Sequence, residues 1–336
     1  MRIAIVGVGA MGTLLGHGLC KAGHDVSLLD LKSRIAQIRS TGKLIVVSPD
    51  GAESAVSPAL ATVDYSKAGV HDVVFLATKS QDLPAIARQV PELTDTTSTI
   101  VTIQNGIPWW YLQGLQSDFG TSRIQCLDPD GLLEQFIDSS QIVGCVAYPA
   151  ATMEPDGRVR HVEGYRFPVG ELDGSVRERT QLLAGLFADA GFKSRVIDDI
   201  RSEIWLKAWG AISINPISAL TRATMVDICT FSETRNLIEQ IMREVQELAE
   251  ALGATFRHTI EKRINGAQAI GAHKTSMLQD VENGRALELD ALMLAVLQLA
   301  DLAGVEVPTV RNIYACSALL NESLLSRSQQ PAEQAP

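Results

Sequence analysis

Hydrophobic and polar positions in the first half of the chain alternate between two patterns. Short apolar runs rich in β-branched residues are separated by stretches with apolar residues at helical spacing, which predicts buried strands joined by helices. A run at Leu44–Val47, followed by turn residues at Ser48–Gly51, predicts a hairpin or an excursion from the sheet. The alternation favours a parallel sheet covered by helices on both faces. Its predicted strands are Arg2–Val6, Asp25–Asp30, Val70–Ala77, Thr99–Ile103, Ile142–Ala147, Arg158–Val162 and Phe167–Val169.

From about Ile200 onward, apolar positions recur at helical spacing and strand signals nearly vanish. Long amphipathic helices are predicted at Ser202–Ile214, Glu233–Leu252, Arg285–Ala303 and Val310–Leu325. We therefore predict two domains, a doubly wound α/β domain over residues 1–198 and an all-α domain over residues 199–325. The polar segment 326–336 is expected to be a flexible tail.

The first strand leads directly into Gly7-Val8-Gly9-Ala10-Met11-Gly12, which has the G-x-G-x-x-G spacing and opens an apolar helix. This strand–turn–helix context is what the dinucleotide-binding fingerprint requires. Gly7 permits the tight turn, Gly9 lets the backbone approach a pyrophosphate, and Gly12 lets the helix pack closely. We predict that these six residues bind a dinucleotide at the helix N-terminus. The alternative is a glycine-rich turn in another α/β fold.

Bulk composition narrows the class of protein. A length of 336 residues suits about two domains, and 46% hydrophobic with 20% charged residues is ordinary for a globular protein. The formal net charge of −10 argues against a nucleic-acid partner. The 5 scattered cysteines contain no C-x-x-C pair, which favours reduced thiols in the cytoplasm over a disulfide or metal framework. No apolar run reaches the ~18 residues that span a bilayer, so no membrane association is expected.

Charged residues after the second strand bear on which dinucleotide is bound. Asp30 lies about 20 residues after the glycines, where an acidic side chain binds the ribose 2′-hydroxyl of NAD(H) and repels the 2′-phosphate of NADP(H). Lys32 and Arg34 favour NADP(H) instead, because either could pair with that phosphate. The alternative is that these charges are simply solvated.

Two more loops follow predicted strands and are expected at the same edge of the sheet. Lys79 comes directly after one strand and could reach a ribose or phosphate oxygen, although it could also be an ordinary surface lysine. Gln104 and Asn105 end the next strand. Asn105 could donate to the nicotinamide ribose or to a substrate oxygen, and its alternative is an ordinary Asn-Gly turn.

Taken with Trp205–Lys207, Asn215-Pro216 and Lys274–Asp290 in the second half of the chain, these loops resemble the ketopantoate reductase family. The resemblance runs in order over most of the chain, and its last segment is the most specific. The resemblance implies an N-terminal Rossmann domain and an all-α C-terminal domain like that of 6-phosphogluconate dehydrogenase. The matching segments are Gly7–Gly12, Thr78-Lys79, Gln104–Gly106, Trp205–Lys207 with Asn215-Pro216, and Lys274–Asp290.

The family resemblance also implies an activity, namely the NAD(P)H-dependent reduction of a 2-keto acid, most directly 2-dehydropantoate (ketopantoate), bound in the cleft between the domains. By the same resemblance Lys207 would be the general acid, and Asn105 would help position cofactor and substrate. Asn215 and Ser276 would bind the substrate, while Glu288 would accept a substrate hydroxyl. For Glu288 the alternative is a surface helix glutamate.

The residues around Lys207 support such chemistry independently. Hydride delivery to a ketone builds negative charge on its oxygen, which a proton donor must meet. Lys207 lies between Trp205 and Trp209 on an apolar helix and shares one face with Ala211 and Asn215. A lysine in an apolar setting can release its proton more readily. The alternative is a lysine that extends from a helix edge to solvent.

The chain departs from the family pattern at two places, and an aromatic cluster is a further feature. Ala211 stands where the family commonly has an asparagine, and Leu31 stands where it commonly has an arginine for the 2′-phosphate. The cluster Trp109–Tyr111 is either a lid over a bulkier keto acid or core packing.

Two rival functions therefore stay open. One is an NAD-dependent 2-hydroxy-acid dehydrogenase for aryl or branched acids, of the D-mandelate type. The other is a non-catalytic dinucleotide sensor. The amphipathic C-terminal helices suggest a homodimer.

Overall fold

The structure is a computed structural model, and it describes residues 1–115 and 119–329. The chain divides into two compact units, Met1–Gln116 with Asp128–Ile200, and Ser117–Leu127 with Arg201–Pro336. The segment Ser117–Leu127 thus groups with the second unit although both flanking segments belong to the first. The boundary expected at residues 198 and 199 stays a prediction.

The first unit is built on strands and short helices. Its strands are β1 (Arg2–Val6), β2 (Asp25–Leu29), β3 (Leu44–Val47), β4 (Glu53–Val56), β5 (Leu60–Thr62), β6 (Val73–Leu76), β7 (Thr99–Thr102), β8 (Ile142–Cys145), β9 (Ala150–Met153), β10 (Val159–Glu163) and β11 (Val169–Glu171). Its helices are α1 (Ala10–Lys21), α2 (Lys32–Thr41), α3 (Tyr65–Ala68), α4 (Leu83–Ile86), α5 (Leu132–Phe136) and α6 (Glu178–Asp189), with 3₁₀ turns at Ser80–Asp82, Ala87–Leu93 and Ser139–Gln141.

The main sheet has seven strands in the order β11-β8-β7-β6-β1-β2-β5. Every neighbouring pair is parallel except β11 with β8, so the predicted parallel sheet is confirmed with one antiparallel edge strand. The chain order reverses on the two sides of β1, which makes the end of β1 the topological switch point. Ligands of doubly wound sheets bind at such a point.

A second sheet, in the order β4-β3-β10-β9, packs on α1. The predicted hairpin is confirmed, because β3 and β4 pair antiparallel across the turn that begins at Ser48. The pairing of β3 with β10 joins segments more than a hundred residues apart. Helix α1 is therefore covered by a sheet on each side, and its residues Gly12–Leu19 are buried.

The second unit is helical among its described residues. Its helices are α7 (Ile200–Thr221, which begins one residue before the unit), α8 (Met225–Thr230), α9 (Ser232–Ala251), α10 (Ile260–Ala269), α11 (Ser276–Glu282), a π-helical turn (Asp290–Leu294), α12 (Ala295–Ala303) and α13 (Pro308–Gln329). The predicted tail beyond Gln329 lies outside the described residues. No helix in the described ranges is both long and apolar enough to cross a membrane.

One predicted helix, Arg285–Ala303, is wrong in its first turn. Gly284 adopts a left-handed conformation with φ of 63° after α11, and residues 285–288 are not helical. The N–H of Leu287 donates to Asn321 Oδ1 at 2.9 Å instead of to a carbonyl one turn earlier. The contact reaches 34 residues along the chain. Local periodicity cannot reveal it.

Candidate functional site

The glycine loop at the end of β1 has the geometry that its spacing predicts. Gly7 has φ of +94°, and a Cβ at this position would lie 2.4 Å from Thr78 N. A Cβ at Gly12 would lie 2.0 Å from the Gly7 carbonyl oxygen, so α1 packs directly on the turn. Gly9 differs, because it is exposed and no atom lies within 4 Å of its Cβ position. The loop is therefore closed on the protein side and open at Gly9.

Asp30 and Arg34, both predicted cofactor ligands, hold this loop. Asp30 Oδ2 accepts from the Val8 N–H at 2.5 Å, and Asp30 Oδ1 accepts from the Leu31 N–H at 2.6 Å. Arg34 Nε donates to the Val8 carbonyl at 2.9 Å. Burial lowers the pKa of Arg34, and the Asp30 charge opposes that effect. By contrast, Lys32 is exposed at the first position of α2.

Polar atoms without partners lie at the neighbouring strand ends. Gln104 Nε2 donates to the carbonyls of Leu76 (2.7 Å) and Thr78 (3.2 Å). Its Oε1 and the Thr78 hydroxyl are buried and have no hydrogen-bond partner within the described chain. Lys79 is half-buried, and Asn105 is exposed beside Gly106. Sequence reasoning does not single out Thr78 as a ligand, although its position directly after a strand is the signal.

These features fit a dinucleotide. The opening at Gly9 and the twelve-residue helix α1 suit an anionic pyrophosphate, since the first turn of α1 contains no acidic residue to repel it. The partnerless Gln104 and Thr78 oxygens are buried groups that a bound ligand could satisfy. Among the described residues no cluster of three or more metal-binding side chains occurs.

The aromatic cluster Trp109–Tyr111 is buried, with at most 3% of each residue exposed. Trp110 Nε1 donates to Thr102 Oγ1 at 3.0 Å. A Cβ at Gly144 would lie 3.0 Å from the Trp110 ring. Of the two interpretations offered above, the structure favours core packing over a lid.

Helix α7 has a single accessible stripe among buried residues. Between Glu203 and Ala219 the half-buried positions are Lys207, Ala211 and Asn215, and the others are buried. Spacing of four residues places the three on one face. The flanking Trp205 and Trp209 are fully buried, and Trp209 Nε1 donates to the Met242 carbonyl at 2.7 Å. The accessible face of α7 therefore contains the predicted general acid and one predicted substrate ligand.

The other predicted substrate residues lie elsewhere in the helical unit. Ser276 is exposed at the first position of α11, whose N-cap is Thr275. Glu288 is half-buried in the non-helical segment before the π-helical turn, so it is not the surface helix glutamate of the alternative interpretation.

Asp290, two residues after Glu288, interacts electrostatically with the Cys126 thiol and the Tyr314 phenol. The Cys126 thiol is 3.9 Å from the Asp290 carbonyl oxygen. Burial raises the pKa of Asp290, and burial together with the Asp290 charge raises the pKa of Cys126 to about 12. Burial and the Asp290 charge also raise the pKa of Tyr314. Cys126 is therefore protonated near neutral pH, and this position does not supply a thiolate nucleophile.

Comparison with known proteins gives a consistent result over nearly the whole chain. The family model described as Ketopantoate reductase PanE/ApbA matches residues 3–174, and its C-terminal counterpart matches residues 199–321. A 2-dehydropantoate 2-reductase from Mesorhizobium japonicum is 42% identical over 317 residues, covering 94% of this chain and 96% of the relative.

Solved structures agree in fold. A candidate ketopantoate reductase from Ralstonia solanacearum MolK2 superposes with a TM-score of 0.90 at 31% identity, covering 96% of this chain and 98% of the other. A D-mandelate dehydrogenase solved with NADH and anilino(oxo)acetate superposes with a TM-score of 0.81 at 21% identity, covering 97% of this chain and all of the other. At that identity the second likeness concerns the fold alone. The predicted fold class is confirmed.

Proposed function

The chain belongs to the ketopantoate reductase family, and we propose that it reduces 2-dehydropantoate to pantoate with a nicotinamide dinucleotide. The family match and the 42% identical relative support the reaction. The observation in this chain that best supports it is the stripe on α7 where Lys207 and Asn215 are half-buried among otherwise buried residues.

The proposed chemistry assigns one step to each polar group. The dinucleotide supplies a hydride to the keto carbon when it is bound. Lys207 Nζ gives a proton to the carbonyl oxygen as that oxygen becomes a hydroxyl, and the amine regains a proton from water. Asn105 positions the reacting groups through its amide. Asn215 and Ser276 hydrogen-bond the substrate, and the Glu288 carboxylate accepts a hydrogen bond from a hydroxyl of the substrate.

The dinucleotide would be held by the glycine loop and by the strand ends around Gln104 and Lys79. We propose NADH as the preferred form, because Asp30 stands at the position that contacts the ribose 2′-hydroxyl. Leu31, which is 77% exposed, offers no charge to a 2′-phosphate. The arginine that the family commonly has at the Leu31 position favours NADPH instead. For NADPH, the exposed Lys32 at the start of α2 would be the remaining cation after β2.

A second substrate class is supported by one observation. Ala211 occupies the middle of the accessible α7 stripe, where the family commonly has an asparagine, so one polar contact to substrate is replaced by a methyl group. This favours an aryl or branched 2-keto acid of the D-mandelate type. The burial of Trp109–Tyr111 removes the argument for an aromatic lid.

A substrate and cofactor panel tests the proposal. The purified protein is assayed for oxidation of NADH and of NADPH with ketopantoate, phenylglyoxylate and 2-ketoisovalerate. We expect the highest kcat/KM with ketopantoate and NADH. Turnover only with the aryl or branched acids would replace the substrate assignment. Binding of both dinucleotides without turnover of any keto acid would favour the sensor instead.

We also propose that the protein acts in the cytoplasm as a homodimer. Its cysteines are all free thiols, as expected in a reducing compartment. Helices α9 and α12 are amphipathic and lie in the helical unit. Light scattering coupled to size exclusion should give twice the 36.2 kDa chain mass.

A further inference from the structure

Val8, between Gly7 and Gly9, is held from both sides by residues of opposite charge. Its N–H donates to Asp30 Oδ2 at 2.5 Å, and its carbonyl accepts from Arg34 Nε at 2.9 Å. The carbonyl also accepts from the buried Thr13 hydroxyl at 3.1 Å. The two peptide groups that flank Val8 are thereby fixed, next to the one loop glycine that is open to a ligand.

The Arg34 guanidinium donates inside the protein from each of its nitrogens. Besides the contact of Nε with Val8, Nη2 donates to Thr13 Oγ1 at 2.9 Å and Nη1 donates to Gln37 Oε1 at 2.6 Å. A longer contact of 3.4 Å joins Nη1 to the Gly157 carbonyl. Gln37 packs closely against the β9–β10 turn. A Cβ at Gly157 would lie 2.6 Å from the side-chain amide of Gln37. Arg34 therefore links the glycine loop, α1, α2 and the second sheet.

We propose that Arg34 is a positioning residue that, opposite Asp30, holds the glycine loop in the shape that receives a dinucleotide pyrophosphate, and that it is not a ligand of the 2′-phosphate. The inference rests on the proposed function. A loop with two glycines has many conformations to lose on binding, and fixing it beforehand improves affinity. Because NADH and NADPH share the pyrophosphate, the contribution of Arg34 should be equal for both.

The test compares dissociation constants for NADH and NADPH, measured by fluorescence titration of the purified protein without substrate. Arg34→Gln should weaken both by about tenfold, with the NADH-to-NADPH affinity ratio unchanged. Amide hydrogen exchange at Val8 and Gly9 in the ligand-free protein should become faster. Thr13→Val keeps the side-chain size, removes the hydroxyl contacts and should shift both affinities in the same direction by less.

Arg39→Gln is the matched control, because it makes the same substitution on α2 at an exposed arginine whose Nε contacts the Ala61 carbonyl. We expect it to leave both affinities unchanged. A loss confined to NADPH in Arg34→Gln would show a phosphate ligand and overturn the inference, as would no loss at all. Should Arg34→Gln fail to fold, Thr13→Val and Arg34→Lys decide by the same criterion. A wild-type protein that binds neither dinucleotide would overturn the proposed function itself.

Discussion

A lysine in the middle of a buried helix requires a reason beyond packing. On α7, the positions around Lys207 are filled by tryptophan, leucine and alanine, all of them buried. Removing an amine from water costs free energy, so the fold alone would favour an apolar residue here. The half-buried stripe that Lys207 shares with Asn215 leaves part of the Lys207 side chain accessible. The proposed role as general acid would give the lysine such a reason.

Replacing Lys207 by alanine should lower kcat by a factor of about 10²–10⁴, the usual contribution of a positioned general acid. The dissociation constant for NADH should stay within about twofold, since Lys207 is not part of the glycine loop. Stopped-flow or steady-state turnover and fluorescence titration measure the two quantities. Lys262→Ala removes an exposed lysine of α10 and should leave both unchanged. An unaltered kcat in Lys207→Ala would refute the assigned role.

At the residue scale, the glycine roles could be predicted because backbone sterics fix them. Gly7 and Gly12 are required wherever a strand turns into a closely packed helix, and the structure places backbone atoms against both. The partners of Arg34 could not be predicted. Its contacts at Val8 and Gly157 depend on where α2 and the β9–β10 turn lie, and a cation near a phosphate loop suggests a ligand whenever the surrounding structure is unknown.

At the element scale, a predicted helix boundary was wrong where a long-range contact overrides a local pattern. The apolar spacing of Arg285–Ala303 predicts one helix, yet the structure shows a non-helical segment, a π-helical turn and then α12. The bond from Leu287 to Asn321 competes with helical hydrogen bonding in that segment. Local periodicity located α9 to within one residue at each end, because the buried residues of α9 recur on one face of the helix.

The start of α13 depends on one buried carboxylate from another helix. Glu244 of α9 is 8% exposed, and its oxygens accept from the N–H groups of Thr309 and Val310 at 2.9–3.0 Å. Glu244→Gln removes the charge and puts an amide N–H₂ in place of one of the two accepting oxygens. We expect a loss of about 2–3 kcal/mol in the free energy of unfolding. Urea denaturation measures it, and amide exchange at Thr309 and Val310 should accelerate.

Glu247→Gln is the paired control on α9, where the side chain is exposed. It should change the free energy of unfolding by less than about 0.5 kcal/mol. Equal effects of the two substitutions would mean that the cap contributes nothing and that α13 is held by its apolar face alone.

At the scale of the whole molecule, sequence reasoning predicted a parallel α/β domain followed by helices, and this organisation is confirmed. Alternating strands and helices dictate that arrangement through short, right-handed connections. The second sheet was not predicted, because β3 and β10 pair across a long stretch of chain. The assignment of Ser117–Leu127 to the helical unit is equally non-local.

Two buried histidines in the first unit should make its stability depend on pH. His71 is 2% exposed and His17 is 7% exposed. Burial, the largest effect on each, lowers the pKa of both imidazoles below 6.5, and nearby Arg2 and Lys21 add to it. The unfolded chain therefore binds protons first as pH falls. The contribution of these histidines to the free energy of unfolding is fully present above about pH 6.5 and is lost as the pH falls below it. The loss is about 1.4 kcal/mol for each unit by which the pKa of a histidine differs between the folded and unfolded states.

The slope of the thermal midpoint against pH, compared between variants, shows which histidine causes the decline. Thermal midpoints measured from pH 7.5 to 5.5 should fall in the wild type, and His71→Gln should flatten the curve whatever it does to the midpoint at pH 7.5. His273→Gln, at a half-buried histidine of the helical unit, is the matched control and should leave the slope unchanged. An equally steep decline in His71→Gln would assign the acid sensitivity to His17 or to carboxylates. The main cause of this pH dependence is the burial of uncharged imidazoles and not the loss of an ion pair. Added salt should therefore change the slope little.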